Sequence, residues 1–253
     1  MDTGVAQPAA KYFLCDDEKI ANPRAHFKEH GWCVISTFCF PEVAERMRDY
    51  LLSHLMPRQE WYHASQNGYE PGTQYVQAVP KNFPKIVENR TRAGERTGKS
   101  LHYSFTRTML GPDTTNVTFR QFYDMIGSER FLSTMCAITG LPIERIETLF
   151  ASKYETGDFL DPHTDAADES RQIAFVLNLT KDWKEEYGGN LVVDSNKRPD
   201  GSRPPATIVT PAFNSLAIFD VTNGGRLHYV SQVTPATDDT RVAITGWLGK
   251  KKA

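Results

Sequence analysis

The residues best suited to chemistry close the stretch Tyr154-Glu-Thr-Gly-Asp-Phe-Leu-Asp-Pro-His163-Thr-Asp165. On an extended strand, side chains alternate between faces, so residues two apart point the same way. His163 and Asp165 are therefore expected to aim one imidazole and one carboxylate at a single spot, with Thr164 turned away. A borderline metal such as Fe(II) accepts that pair. One further His would complete a two-His, one-carboxylate face with open positions opposite. His228, in Gly-Gly-Arg-Leu-His228-Tyr-Val, is the third candidate. Alone, the His-x-Asp triplet is equally a loop His beside a capping Asp. Two such segments among short apolar strands, followed by an Arg, are far more specific.

That Arg is Arg241. Alternation along the last strand places Arg241, Ala243, Thr245 and Trp247 on one face. Arg carries a permanent charge on a rigid fork that suits a carboxylate. If this face is interior, the buried cation needs an anionic partner. No acid near it in sequence is an obvious match, and a bound dicarboxylate would meet the need. The other reading is a surface ion pair at the strand's rim.

The elements that must position these groups fall into two halves. From Ile143 onward the chain reads as short strands separated mostly by Gly, Pro, Asn and Asp turns. They are expected over 147–155, 159–165, 173–179, 191–194, 207–210, 215–219, 227–233 and 242–248. About eight strands at this spacing argue for a sandwich or barrel. Before them, residues 1–10 read as a loose tail, 25–28 as helical and 31–37 as a strand. Residues 41–55 form an amphipathic helix with Pro41 in its first turn and apolar residues at Val43, Met47, Leu51 and Leu55. Pro57 is expected to end it. Thr118 is a candidate cap for a helix to Ile126, and Ser128 for one to Thr139 that stops at Gly140-Leu-Pro142. Between 58 and 115 no period holds, and aromatic residues alternate with basic ones. A structureless loop of that length is unusual, so the segment reads as short strands, as a lid over a site, or as both.

The chain has 253 residues, 24% charged and 40% hydrophobic, as in ordinary globular proteins. Its formal charge of -2 gives no global field for nucleic acid or anionic membrane. No apolar run is long enough to span a bilayer, and the N-terminus lacks the features of a secretory signal. The four cysteines, Cys15, Cys33, Cys39 and Cys136, show neither CxxC nor zinc spacing and read as reduced thiols of a cytoplasmic protein.

Taken together, three groups of residues resemble the Fe(II)/2-oxoglutarate-dependent oxygenases, and within them the prolyl-hydroxylase-like branch. They are Tyr154-x2-Gly157-Asp-Phe-Leu-x2-His163-x-Asp165, Trp183-x4-Gly188-Gly189-x-Leu191, and His228 with Arg241-x5-Trp247. The resemblance covers roughly 149–248. It implies a mainly β chain with flanking helices, built on a double-stranded β-helix (jelly-roll) barrel. The whole of 1–253 is expected to form one oxygenase domain, with helices, edge strands and lid in 1–142 and the barrel in 143–250. By the same resemblance His163, Asp165 and His228 bind iron, Arg241 holds the distal carboxylate of 2-oxoglutarate, and Tyr154 donates a hydrogen bond to it. Thr245, on the face of Arg241, joins the cosubstrate contacts. The chain departs from the collagen-type members, which use Lys where it has Arg241. It also has Tyr229 where the family often has Gly.

The implied activity is a dioxygenase reaction that consumes 2-oxoglutarate and O2, releases succinate and CO2 and hydroxylates an unactivated C–H, with ascorbate as a supporting reductant. Desaturation and ring closure remain open. Halogenation does not fit, because related halogenases replace the ligand carboxylate with Gly or Ala. The expected substrate is a small molecule such as an amino acid or a natural-product intermediate, since the chain has no accessory domain for protein recognition. Tyr103 and Arg107, from the aromatic and basic stretch, are the candidate substrate contacts. Three readings compete with this: a hydroxylase acting on a peptide, a non-catalytic β-barrel binding protein, and a cupin-like metal protein without 2-oxoglutarate.

Overall fold

The computed structural model describes residues 17–53, 61–67, 72–97, 100–166, 169–194, 205–222, 224–237 and 239–251. The expected tail, Cys15 and Pro57 lie outside these residues.

Runs such as Ile173-Ala-Phe-Val-Leu177 and Leu216-Ala-Ile-Phe219 are apolar at every position. The strands that they form must therefore be covered on both faces. The first half of the chain supplies most of that cover: α1 (Asp17–His30), β1 (Trp32–Ile35), α2 (Pro41–Ser53), β2 (Tyr62–Gln66), β3 (Gln74–Gln77), α3 (Phe83–Gly94), β4 (Tyr103–Met109), α4 (Val117–Ile126) and α5 (Glu129–Thr139). The second half is almost wholly strand: β5 (Arg145–Tyr154), β6 (Phe159–His163), β7 (Arg171–Asn178), β8 (Leu191–Val193), β9 (Thr207–Val209), β10 (Ser215–Asp220), β11 (His228–Val230) and β12 (Arg241–Gly249).

The strands follow the order β1-β10-β7-β12-β5-β4-β6-β11-β8-β9, and every pairing is antiparallel. From β5 to β12 the chain steps back and forth between the β10-β7-β12-β5 side and the β6-β11-β8-β9 side, with β4 joining them. This is the expected jelly-roll, mainly β with flanking helices. Its outer apolar layer packs α1, α2, α4 and α5 through Phe27, Met47, Phe119, Phe122 and Phe131 onto Phe175, Leu177, Leu216 and Ile218.

Several boundaries differ from the sequence reading. α1 is much longer than 25–28, because it runs through Pro23, where a Pro ordinarily interrupts the hydrogen-bond ladder. The cap of α4 is Asn116, whose side chain accepts from the Phe119 amide, and not Thr118. Ser128 does cap α5, and Gly140 ends it in the left-handed conformation. The patternless stretch resolves into β2, β3 and β4, as one reading expected, together with α3, which was not expected. The signal for α3 was Pro84 in its first turn and the face Ile86, Asn89 and Ala93. A buried Asn on that face breaks the apolar stripe.

Candidate metal and cosubstrate site

β6 and β11 are neighbours, and their register puts His163 directly opposite His228. The two imidazole rings are 4.3 Å apart. Nδ1 of His163 faces the carbonyl of Asp161 at 2.9 Å, and Nδ1 of His228 faces that of Arg226 at 2.7 Å. A carbonyl only accepts, so each Nδ1 carries a proton, and each Nε2 becomes a lone-pair donor once it gives up its own. Both Nε2 atoms turn to Asp165, at 3.3 Å from Oδ1 and 3.4 Å from Oδ2. One ligand atom from each of the three residues lies within 4.8 Å of the others, a cluster that could hold a metal ion.

The route to this cluster differs from the expected one in one respect. β6 ends at His163, and Asp165 has left the strand with φ +58°. Asp tolerates this left-handed conformation better than most residues. Its carboxylate therefore meets His163 through a turn, and not through strand alternation. Gly225 presses on that turn: with φ +66°, it leaves room where a Cβ would stand 2.2 Å from the Thr164 carbonyl oxygen. Burial pushes the Asp165 carboxyl up, but hydrogen bonds and charge from His163 and His228 outweigh it and hold the pKa well below the usual range.

Arg241 lies in register with Tyr154 across β12 and β5. It is 2% exposed, which excludes the rim ion pair. Its guanidinium carbon sits 5.0 Å from the centroid of the Tyr154 ring. Its Nε and Nη1 are buried without a hydrogen-bond partner. Burial pulls its pKa down, and among the described residues it forms no ion pair with a carboxylate. A buried guanidinium with two unmet donors is costly unless an anion arrives. Burial also raises the Tyr154 phenol well above its usual pKa, with Arg241 pulling the other way, so Tyr154 stays a hydrogen-bond donor at neutral pH.

The Trp-Gly-Gly motif builds the floor under this arginine. The Trp183 indole N–H donates to the Gly188 carbonyl at 2.8 Å. A Cβ on Gly189 would stand 3.4 Å from both the Arg241 stem and the Trp183 ring. Thr245 and Trp247 follow Arg241 on the same face, as alternation predicts. With Tyr103, Phe105, Arg107, Phe150, Ser152 and Tyr154 they wall a cavity of about 170 Å³ that also contains His163, Asp165, His228 and Arg241. Thus all eight residues singled out in the sequence reach one cavity.

The sequence reading missed the group that holds the β5–β6 turn. Asp158 is fully buried and accepts from Arg90 Nε at 2.7 Å, from Ser104 Oγ at 2.6 Å and from the Glu155 amide at 3.0 Å. The buried His63 meets Ser104 at 2.9 Å. The only signal was an aspartate between Tyr154 and His163, and its partners come from α3, β4 and β2, far away in sequence.

The fold recurs in known proteins. The family model for the 2OG-Fe(II) oxygenase superfamily matches residues 149–249, which hold every barrel residue of the site. Over 121 residues, 47% of this chain, the sequence is 30% identical to the mouse prolyl 3-hydroxylase OGFOD1. It is 31% identical over 130 residues to the prolyl 3,4-dihydroxylase OGFOD1 of Ostreococcus tauri. These matches span only 22% and 24% of the relatives' lengths. The crystal structure of a Pseudomonas putida prolyl-4-hydroxylase shares the fold, with a TM-score of 0.58 at 17% identity over 92% of this chain and all of that one. Residues 149–249 thus match the 2OG-Fe(II) oxygenase superfamily, and the relatives named above are prolyl hydroxylases. That family implies Fe(II), 2-oxoglutarate and O2. Among the described residues no helix is long and apolar enough to cross a membrane.

Proposed function

We propose that the chain is an Fe(II)- and 2-oxoglutarate-dependent dioxygenase that hydroxylates a C–H bond of a small molecule. The observation that carries this reading is the pairing, in one cavity, of a His-Asp-His cluster with a buried arginine whose Nε and Nη1 lack partners. His163, Asp165 and His228 hold the iron. Asp165 supplies the one anionic ligand, and the carbonyls of Asp161 and Arg226 fix the ring orientations. Arg241 receives the distal carboxylate of 2-oxoglutarate, with Tyr154 donating to it and Thr245 beside it. When bound, iron and 2-oxoglutarate supply with O2 the oxidising chemistry, and succinate and CO2 leave. Phe105, Phe150, Leu160, Val176 and Trp247 keep water from the reacting carbon. Tyr103 and Arg107 form the wall that the substrate meets.

A second reading, a peptidyl hydroxylase, draws on one observation: beyond Arg107 lies an open groove of about 710 Å³. The names of the OGFOD1 relatives point the same way.

The test is succinate formation from 2-oxoglutarate with Fe(II), ascorbate and a substrate panel. Substrate-stimulated turnover that disappears in His163→Ala is the expected result. A wild-type protein that binds no 2-oxoglutarate in the presence of metal overturns the reading.

A further inference from the structure

Arg107 belongs to both cavities. It lines the inner one with the metal cluster and the outer groove with Tyr62, Tyr75 and Met109. Register explains why. On the concave face of the sheet, Tyr62 of β2, Arg107 of β4, Ser152 of β5 and Ala243 of β12 stand in one row. The small side chains Ser152 and Ala243 leave room on the inner side of Arg107, and the large Tyr62 flanks it on the outer side. The guanidinium lies 5.1 Å from the centroid of Tyr75 and 5.6 Å from that of Phe150, and it donates to the Tyr75 hydroxyl. Among the described residues no carboxylate pairs with it. Asp113 lines the same groove but forms no ion pair with it. Tyr103, four residues earlier on the same face, is bonded to Thr73.

Charge and size then limit what can pass this point. With the centre loaded, the two charges of Fe(II) and the one on Arg241 balance the one on Asp165 and the two on 2-oxoglutarate. Arg107 is the cation left over in the inner wall, held by rings and a phenol that do not neutralise it. The inner cavity of about 170 Å³ is smaller than the roughly 300–1,000 Å³ of common ligand pockets. It has room for 2-oxoglutarate and the reacting end of a substrate, so the rest must lie past Arg107 in the groove.

Resting on the reading above, we infer that Arg107 is the specificity-determining residue. It recognises a carboxylate on a substrate whose reacting carbon enters the inner cavity while its other end occupies the groove of Tyr62, Tyr75 and Met109. Binding exchanges the Tyr75 hydroxyl for a bidentate carboxylate, the pairing for which the guanidinium fork is built.

The experiment uses the full chain loaded anaerobically with Mn(II) and 2-oxoglutarate, and titrates it calorimetrically with free L-amino acids and with the carboxamide of each. The same pairs are run in the Fe(II) succinate assay, together with acetylated, amidated peptides. Wild type is expected to bind and turn over at least one acid tenfold or more better than its amide. In Arg107→Gln that ratio should collapse towards one, through KM more than kcat, and Arg107→Lys should restore part of it. A ratio does not depend on the fraction of folded protein, so a poorly folding variant does not mimic the result. Equal affinity for acids and amides, an unchanged ratio in Arg107→Gln, turnover confined to the capped peptides, or no binding of any acid overturns the inference. Binding of 2-oxoglutarate itself to the wild-type protein is measured first. Its absence refutes the oxygenase reading, and its presence with any of the other failures refutes only the role of Arg107.

Discussion

A single guanidinium shows how the site works at the scale of a residue. Arg241 is buried with Nε and Nη1 unpartnered, an arrangement that stores an unfavourable free energy until a carboxylate is bound. Truncating one partner of a buried charge pair typically costs 2–5 kcal/mol. Arg241→Ala is therefore expected to raise the KM for 2-oxoglutarate on the order of a hundredfold, measured by succinate release. An unchanged KM would show that the carboxylate binds elsewhere. At this scale the sequence was most legible. Four side chains of unusual type, His163, Asp165, His228 and Arg241, sat in strand-like surroundings, and all four line the cavity. The left-handed backbone of Asp165 was not legible, because alternation was assumed two residues past the end of β6. Asp158 was not legible either. Its ion pair joins residues 68 apart in sequence, and neither partner is of an unusual type.

Turns and helices position those side chains. The β5–β6 connection runs from Tyr154 to Phe159, the start of the strand that ends at His163, and it is pinned by Asp158 to Arg90 of α3. Removing one partner of a buried pair leaves a stranded charge and costs about 3–5 kcal/mol. Arg90→Met should lower stability by roughly that amount in urea denaturation, although the residue touches no ligand. A loss below about 0.5 kcal/mol, the range of ordinary surface substitutions, would show that the pair carries little. On the opposite wall Gly188 has φ +68°, and a Cβ there would stand 1.9 Å from the Gln232 carbonyl oxygen. Gly188→Ala must move that backbone and with it the floor beneath Arg241. We expect both a lower melting temperature and weaker 2-oxoglutarate binding, the latter read by calorimetry at a temperature where the variant is folded. Element existence was largely legible, since strand-length apolar runs between turn residues announced β5 to β12. Helix ends were less so. Thr118 and Asn116 are both capable caps, and only the position of the Phe119 amide selects Asn116. α3 was hidden because its exposed surface carries the apolar Phe83 and Val87 and its inner face includes Asn89.

The molecule as a whole has an outer apolar layer and an inner one that lines the candidate site. The outer one, beneath the helices, contains Cys33 and Cys39, both almost fully buried. Burial pushes the Cys33 thiol up to about 12, so it is a thiol and not a nucleophile at neutral pH. Iodoacetamide at pH 8 should leave Cys33 unlabelled in the folded protein and label it in urea, as mass spectrometry would record. The inner layer, around Phe105, Phe150, Tyr154 and Trp183, meets the cluster and Arg241, so ligand binding and folding are linked. A ligand at a hundred times its Kd stabilises the state that it binds by about 2.7 kcal/mol. The most direct measurement follows from that link and from the electronic absorption of iron. The anaerobic protein is titrated with Fe(II) and then with 2-oxoglutarate, following the visible metal-to-ligand charge-transfer band and the melting temperature together. The expected result is a saturable band at one equivalent of each and a higher melting temperature, both lost in His228→Ala. An iron-loaded wild-type protein that shows no band and no thermal shift with 2-oxoglutarate would contradict the account.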